Sequence, residues 1–211
     1  MNNDYLSKPT NVNGAGIVLI HEFWGVNQLV KNTADRLAAE NFAVLAVDLY
    51  KGRVAKNVDE ARLLKESVTD EHALERVREG ISKLEADSIA VWGFCFGGSV
   101  AFKSATANPL ASGVAGAYVI YYGSLITDDE NVLAKIQKPI LGIFGGLDKS
   151  IPVAKVEAMR KNLDALGKIN EIYIYPDADH AFANEERDSY NPTAKADALT
   201  KTFAFLQKHL F

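Results

Sequence analysis

The sequence predicts an α/β protein, a mostly parallel central sheet with helices on both faces. Two features carry that prediction. Short apolar, β-branched runs alternate along the chain with longer segments of helical period, the pattern of strands buried on both faces and joined by crossover helices. At positions 91–99, "VWGFCFGGS" joins such a run to a small-residue helical segment through a turn of a few residues, which demands a sharp reversal. With 211 residues and 48% hydrophobic composition, the chain can bury one substantial core, and a single domain over residues 1–211 is expected, without a large cap.

The elements follow in order. Strands are predicted at 16–20, 43–47, 88–92, 117–121, 140–144 and 171–175, each rich in branched or aromatic side chains. After the first, "NQLVKNTADRLAAEN" sets Leu29, Val30, Leu37 and Ala38 on one helical face, with Asn27 as cap. "TDEHALERVREGISKLEAD" repeats the pattern with Leu74, Val77, Ile81 and Leu84, and "GSVAFKSATA" forms a small-residue helix beyond the turn. Pro152 opens another helix just inside its first turn, and Gly167 stops it. The last helix begins near Pro192 and carries Leu199, Phe203 and Leu206 toward the carboxyl end. "DLYKGRVAKNVDEARLLKES" and "GSLITDDENVLAKIQKP" are irregular. Both follow strands, where parallel sheets build their sites, so they are read as pocket walls.

Composition removes several function classes. A net charge of −4 without a dense basic cluster gives no footprint for nucleic acid or an anionic membrane. "MNNDYLSKPTNVNG" lacks a basic start and an apolar core, and no run approaches about 18 apolar residues, so a cytoplasmic protein is expected. The single cysteine, Cys95, rules out an intramolecular disulfide and a cysteine-based zinc site. His21, His72, His180 and His209 show no metal-ligand spacing, and neither metal nor cofactor is expected.

In "GFCFG" the central residue must adopt strained backbone angles between side-chain-free neighbours, which Gly93, Gly97 and Gly98 supply. This is the elbow of the α/β-hydrolase fold, with cysteine where serine is more common. The turn lifts Cys95 above the sheet edge and aims the free N–H groups of the next helix at it, an arrangement that favours a thiolate. A packed structural thiol is the competing reading, because free cysteine is often buried.

The partners favour the nucleophile. In this fold the chain order is nucleophile, acid, histidine. Only His180 and His209 follow the elbow, and His209, in the last helical turn, reads as a helix-end cation. His180, in "PDADHAFAN", is therefore the base, while His72 lies in a helical pattern and reads as solvated surface. Asp148, in "GGLDKSIP", follows a buried strand on the same edge and is the expected acid. Asp177 and Asp179 share one short loop with His180, which disfavours alignment behind its ring. The oxyanion donors are the N–H of Phe96 and, from "HEFWGVN", the N–H of Phe23. Glu22 is anomalous there, since a carboxylate opposes developing negative charge.

Taken together, "HEFWGVN", "AVDLY", "GFCFGG", "YYG", "GGLDKSIP" and "DADHAFAN" resemble, in order and spacing over nearly the whole chain, the dienelactone hydrolase (carboxymethylenebutenolidase) family of the α/β hydrolases. The resemblance implies a Cys95–Asp148–His180 triad acting on a small ester or lactone. It also implies a task for Glu22, which holds the resting thiol and takes its proton when substrate binds. In dienelactone-cleaving members two arginines grip the substrate carboxylate, one of them four residues beyond the histidine. Here that position is Asn184, and the other arginine corresponds to Arg62 or Arg53. An amide does not replace a bidentate guanidinium, so weak selectivity for anionic lactones is expected. Trp24 and Tyr122 join Arg53, Arg62 and Asn184 as expected substrate contacts, with the hydroxyls of Tyr121 and Tyr122 toward the site. The expected assembly is a monomer or weak homodimer. Rival readings are a hydrolase of another acyl bond, such as a thioester, or an inactive homologue that binds a small ligand.

Overall fold

The structure, a computed structural model, describes residues 3–10, 14–107 and 115–211. Residues 1–2 and 11–13, part of "MNNDYLSKPTNVNG", lie outside the described residues. Among the latter, the strands are β1 (Tyr5–Ser7), β2 (Ala15–Ile20), β3 (Ala43–Val47), β4 (Ser88–Phe94), β5 (Ala117–Tyr121), β6 (Ile140–Gly145) and β7 (Asn170–Tyr175). They form one sheet in the order β1-β3-β2-β4-β5-β6-β7, antiparallel at β1 and parallel elsewhere. The helices are α1 (Gln28–Ala39), α2 (Val58–Glu66), α3 (Asp70–Lys83), α4 (Phe96–Thr106), α5 (Glu130–Leu133), α6 (Val153–Ala165) and α7 (Pro192–Leu210).

Strand alternation assigns the two faces. Leu19 and Trp92, paired across β2 and β4, face α1 and α7; Val18 and Val91, one residue back, face α3 and α4. Asn27 caps α1 by accepting the N–H of Val30 at 3.1 Å, and Val30, Ala34 and Leu37 bury its inner stripe. The strand order reverses between β2 and β4. At that switch point Ile20 pairs with Gly93, and the two chains leave the sheet as His21–Glu22 and Cys95–Phe96.

Several elements differ from expectation, each for a physical reason. β1 is a three-residue edge strand held from a distance: Asp4 pairs with Arg76 and Lys83 and accepts the N–H of Asp48. Local periodicity does not report such a tether. The segment read as irregular after β3 contains α2, capped by Asn57. Only Ala61 and Leu64 of α2 are buried, too narrow a stripe to give a period. α5 is a single turn in the second irregular segment. α4 begins at Phe96, directly after Cys95, and Pro152 caps α6 from outside its first turn. In α3, Arg76 is buried while Leu74 and Ile81 are half-buried. His72 is half-buried, not solvated. His209 is not a helix-end cation: its ring packs on Phe205 at 4.7 Å, and burial, with Lys208 beside it, lowers its pKa.

Candidate active site

Cys95 occupies φ 53°, ψ −111°, a region that costs a non-glycine residue strain and persists only when its surroundings enforce it. The enforcement is visible. The N–H of Cys95 donates to the Tyr121 carbonyl at 3.0 Å, and its own carbonyl accepts the N–H of Ser99 at 3.0 Å as α4 begins. A Cβ on Gly93 would lie 1.9 Å from the Gly97 carbonyl oxygen, and one on Gly97 would lie 2.3 Å from that of Ile20. The turn therefore requires glycine at both positions because strand and helix backbones touch.

His180 lies in the loop after β7 and Asp148 in the loop after β6, both at the carboxyl edge of the sheet. His180 Nε2 is 3.1 Å from Cys95 Sγ, and its Nδ1 is 2.6 Å from Asp148 Oδ2. The other Asp148 oxygen accepts the N–H and the hydroxyl of Ser150, at 2.8 and 2.6 Å. Burial works to raise the Asp148 pKa, but the hydrogen bonds from His180 and Ser150 outweigh it and hold the carboxyl below its ordinary value. Burial likewise works against a charged His180, yet Asp148 and Cys95 on its two nitrogens raise its pKa to about 10. Asp179 is excluded as the orienting acid because its Oδ1 accepts the N–H of His180 itself, at 2.6 Å. The geometry thus holds a thiol sulfur, an imidazole and a buried carboxylate in a line, as nucleophilic acyl transfer needs.

The loop after β2 is fixed by His21, a residue to which sequence reasoning gave no role. Its Nε2 accepts the N–H of Leu49 at 3.2 Å, so Nδ1 carries the proton and donates to the Glu22 carbonyl at 2.5 Å. Burial lowers its pKa to about 4, which keeps the ring neutral. Among the described residues, no backbone acceptor takes the N–H of Phe23 or of Phe96.

Glu22 is 8% exposed, and its carboxyl accepts from Asn184 Nδ2 at 2.6 Å and from the Tyr122 hydroxyl at 3.5 Å. Burial raises its pKa, with the Asn184 hydrogen bond acting in the opposite direction. The thiol contact that the resemblance implies for Glu22 is not the one present here, since Sγ faces His180. Asn184, an expected substrate contact, is buried, and its amide donates to Glu22. Tyr122 is also buried, with its ring edge-on to His180 at 5.3 Å. The Tyr121 hydroxyl turns away from the site and meets Thr202 of α7 at 2.8 Å.

The remaining expected contacts separate. Trp24 is half-buried against Phe23, with ring centroids 4.6 Å apart. Arg53 is exposed on a loop that packs on Gly25 beside it. Arg62 is on the outer face of α2, 3.8 Å from Asp59, and does not line the groove at His180. That groove, of about 540 Å³, is lined by Asp179, His180, Glu186, Arg187, Asp188 and Ser189. Arg187 went unnoticed in the sequence. Its signal was the position three residues beyond Asn184, one turn along a loop whose N–H at Arg187 donates to the Asn184 carbonyl.

The sheet, the strained elbow and the three aligned side chains define an α/β hydrolase. Within that class the chain belongs to the dienelactone hydrolase family, whose profile matches residues 3–210. It is a hydrolase of the dienelactone hydrolase type, acting on carboxylic esters. It is 30% identical to a Methylorubrum extorquens protein described as "putative carboxymethylenebutenolidase", over 86% of this chain and 67% of that one. A protein of the same description from Salmonella typhimurium is 30% identical over 97% of this chain and 82% of its own. Among solved structures, the "putative dienelactone hydrolase" of Klebsiella pneumoniae superposes with a TM-score of 0.84 at 27% identity, covering 98% of this chain and 92% of that one. Among the described residues, no helix is long and apolar enough to cross a membrane.

Proposed function

We propose that this protein hydrolyses small carboxylic esters and lactones through a thioester formed on Cys95. The observation that carries the reading is the unbroken line from Asp148 Oδ2 through His180 to Sγ, with contacts of 2.6 and 3.1 Å, at the strained elbow. His180 Nε2 takes the proton of the Cys95 thiol as the sulfur attacks the carbonyl carbon, and the carbonyl π electrons move to oxygen, where the N–H groups of Phe96 and Phe23 receive the charge. As the tetrahedral intermediate collapses, the C–O bond breaks and His180 gives its Nε2 proton to the leaving alkoxide. His180 then takes a proton from water, whose oxygen attacks the thioester. The C–S bond breaks, the carboxylic acid departs, and His180 returns the proton to sulfur, restoring the thiol–imidazole pair. Asp148 keeps the second imidazole proton on Nδ1 throughout.

In this reading Glu22 is the proton store. Burial biases its carboxyl toward the neutral acid, and a side-chain rotation from Asn184 to Sγ lets it exchange a proton with the thiol. The groove at His180 carries Asp179, Glu186 and Asp188 against a single Arg187, so neutral esters and lactones are preferred over anionic ones. The test is Cys95→Ala with an activated aryl ester. A loss of at least about a thousandfold in kcat/KM is expected, and undiminished turnover overturns the proposal.

A further inference from the structure

The sheet face opposite α3 and α4 holds a cavity that none of Cys95, Asp148 and His180 lines. α1 and α7 cover this face with little direct contact between them, and about 380 Å³ is left open. Leu19 and Trp92 form its floor, with Val30 and Leu37 of α1 on one wall and Leu199 and Phe203 of α7 on the other. Glu22, with Asn184 and Tyr122 hydrogen-bonded to it, also lines the cavity.

Shape and charge specify an occupant. α1 lines the cavity from Leu29 to Glu40, about 16 Å of helix at about 1.5 Å per residue. A volume of 380 Å³ over that length is a mean section of about 24 Å², which suits a single chain and not a fused ring system. At about 30 Å³ per water-sized atom, the volume corresponds to roughly a dozen heavy atoms. The rim carries two cations and one shared anion. Arg36 donates to both oxygens of Glu185, at 2.7 and 3.2 Å, and Lys195 donates to one of them at 2.5 Å. Arg36 and Lys195 together hold the Glu185 carboxyl down at about 2. Glu40, one turn further along α1, is exposed, and the lining beyond Arg36 in the other direction, back to Leu29, carries no charged residue of α1.

We propose that this chamber binds an unbranched medium-chain carboxylic acid of about ten carbons, its carboxylate at Arg36 and Lys195 and its chain between α1 and α7 over Trp92. Binding requires no step of the ester reaction, so the experiment is run in Cys95→Ala as well as in the wild-type chain. Decanoate, 1-decanol and decylammonium are titrated below their aggregation concentrations by calorimetry. Trp92 fluorescence is followed in a Trp24→Phe background, where it is the remaining tryptophan. Decanoate is expected to saturate one site. Arg36→Gln and Lys195→Gln should each weaken it at least tenfold, and Val30→Trp should abolish it. Val30 is buried, so Leu199→Trp, at a half-buried position on the opposite wall, serves as a second filling variant. Absence of saturable decanoate binding overturns the proposal. So does binding indifferent to both filling variants, or decanol or decylammonium binding as tightly as decanoate.

Discussion

Replacing Asp148 by Asn tests the triad at its most constrained atom. Both Ser150 donors point at Asp148 Oδ1, so the amide oxygen of Asn must take that place and the NH₂ must face His180 Nδ1. Nδ1 then has to accept, and the ring proton moves to Nε2, directed at Sγ, where it blocks proton removal from the thiol. The reverse amide orientation sets NH₂ against the backbone N–H of Ser150, and a buried donor without acceptor costs about 1–3 kcal/mol. The wrong tautomer is therefore favoured roughly ten- to hundredfold. The variant also lacks the carboxylate that stabilises the imidazolium. Together these give an expected kcat/KM loss of about 10³–10⁴, or about 4–5.5 kcal/mol of transition-state stabilisation. The assay is hydrolysis of p-nitrophenyl acetate, with circular dichroism to establish that the variant is folded. A folded variant within tenfold of wild type refutes the reasoning.

Further predictions concern the elbow, Glu22 and pH. Gly97→Ala drives a Cβ to 2.3 Å from the Ile20 carbonyl, a backbone contact with no flexible end to yield. Urea unfolding should show a loss of about 3 kcal/mol or more, and a loss under 1 kcal/mol would contradict the close-packed turn. Asn184→Ala removes the 2.6 Å donor from Glu22 and leaves a buried carboxyl with the Tyr122 hydroxyl alone. A stability loss of about 1–3 kcal/mol is expected, together with a change in the pH dependence of thiol alkylation by iodoacetamide, which a purely structural amide would leave unaltered. The Asp148–His180 pair makes stability depend on pH with a defined sign. His180 is raised from 6.5 to about 10, so its contribution is complete below about 6.5 and is lost as pH rises through about 10. Asp148 is lowered from 3.8, so its contribution is complete above about that value and is lost as pH falls through its depressed pKa. The stability difference between wild type and Asp148→Asn should be largest between about pH 4 and 6.5 and shrink toward pH 10. A difference flat across that range would argue against an ion pair.

What the sequence disclosed and what it hid follow from the range of the interactions. The parallel strands and α1, α3, α6 and α7 are legible because each carries its own apolar period or stop signal, such as Asn27 at one end of α1 or Gly167 (φ 63°) after α6. The positions of Cys95, Asp148 and His180 were legible from chain order on one sheet edge, and the structure brings them together. β1 was hidden because its anchor is the pairing of Asp4 with Arg76, far away in sequence. The environment of Glu22 was hidden for the same reason: its donors, Asn184 and Tyr122, come from loops after β7 and β5. His21 carries no local motif, and its surroundings, like those of Arg187, exist only once the loops are packed.

The central claim is that Cys95 carries the acyl group. The most direct measurement is intact-protein mass spectrometry after rapid quench with p-nitrophenyl acetate, followed by peptide mapping. One acetyl group on Cys95, appearing in the time of the nitrophenolate burst and decaying with turnover, is the predicted result. Steady nitrophenolate release with no adduct on Cys95, persisting in Cys95→Ala, would contradict the account.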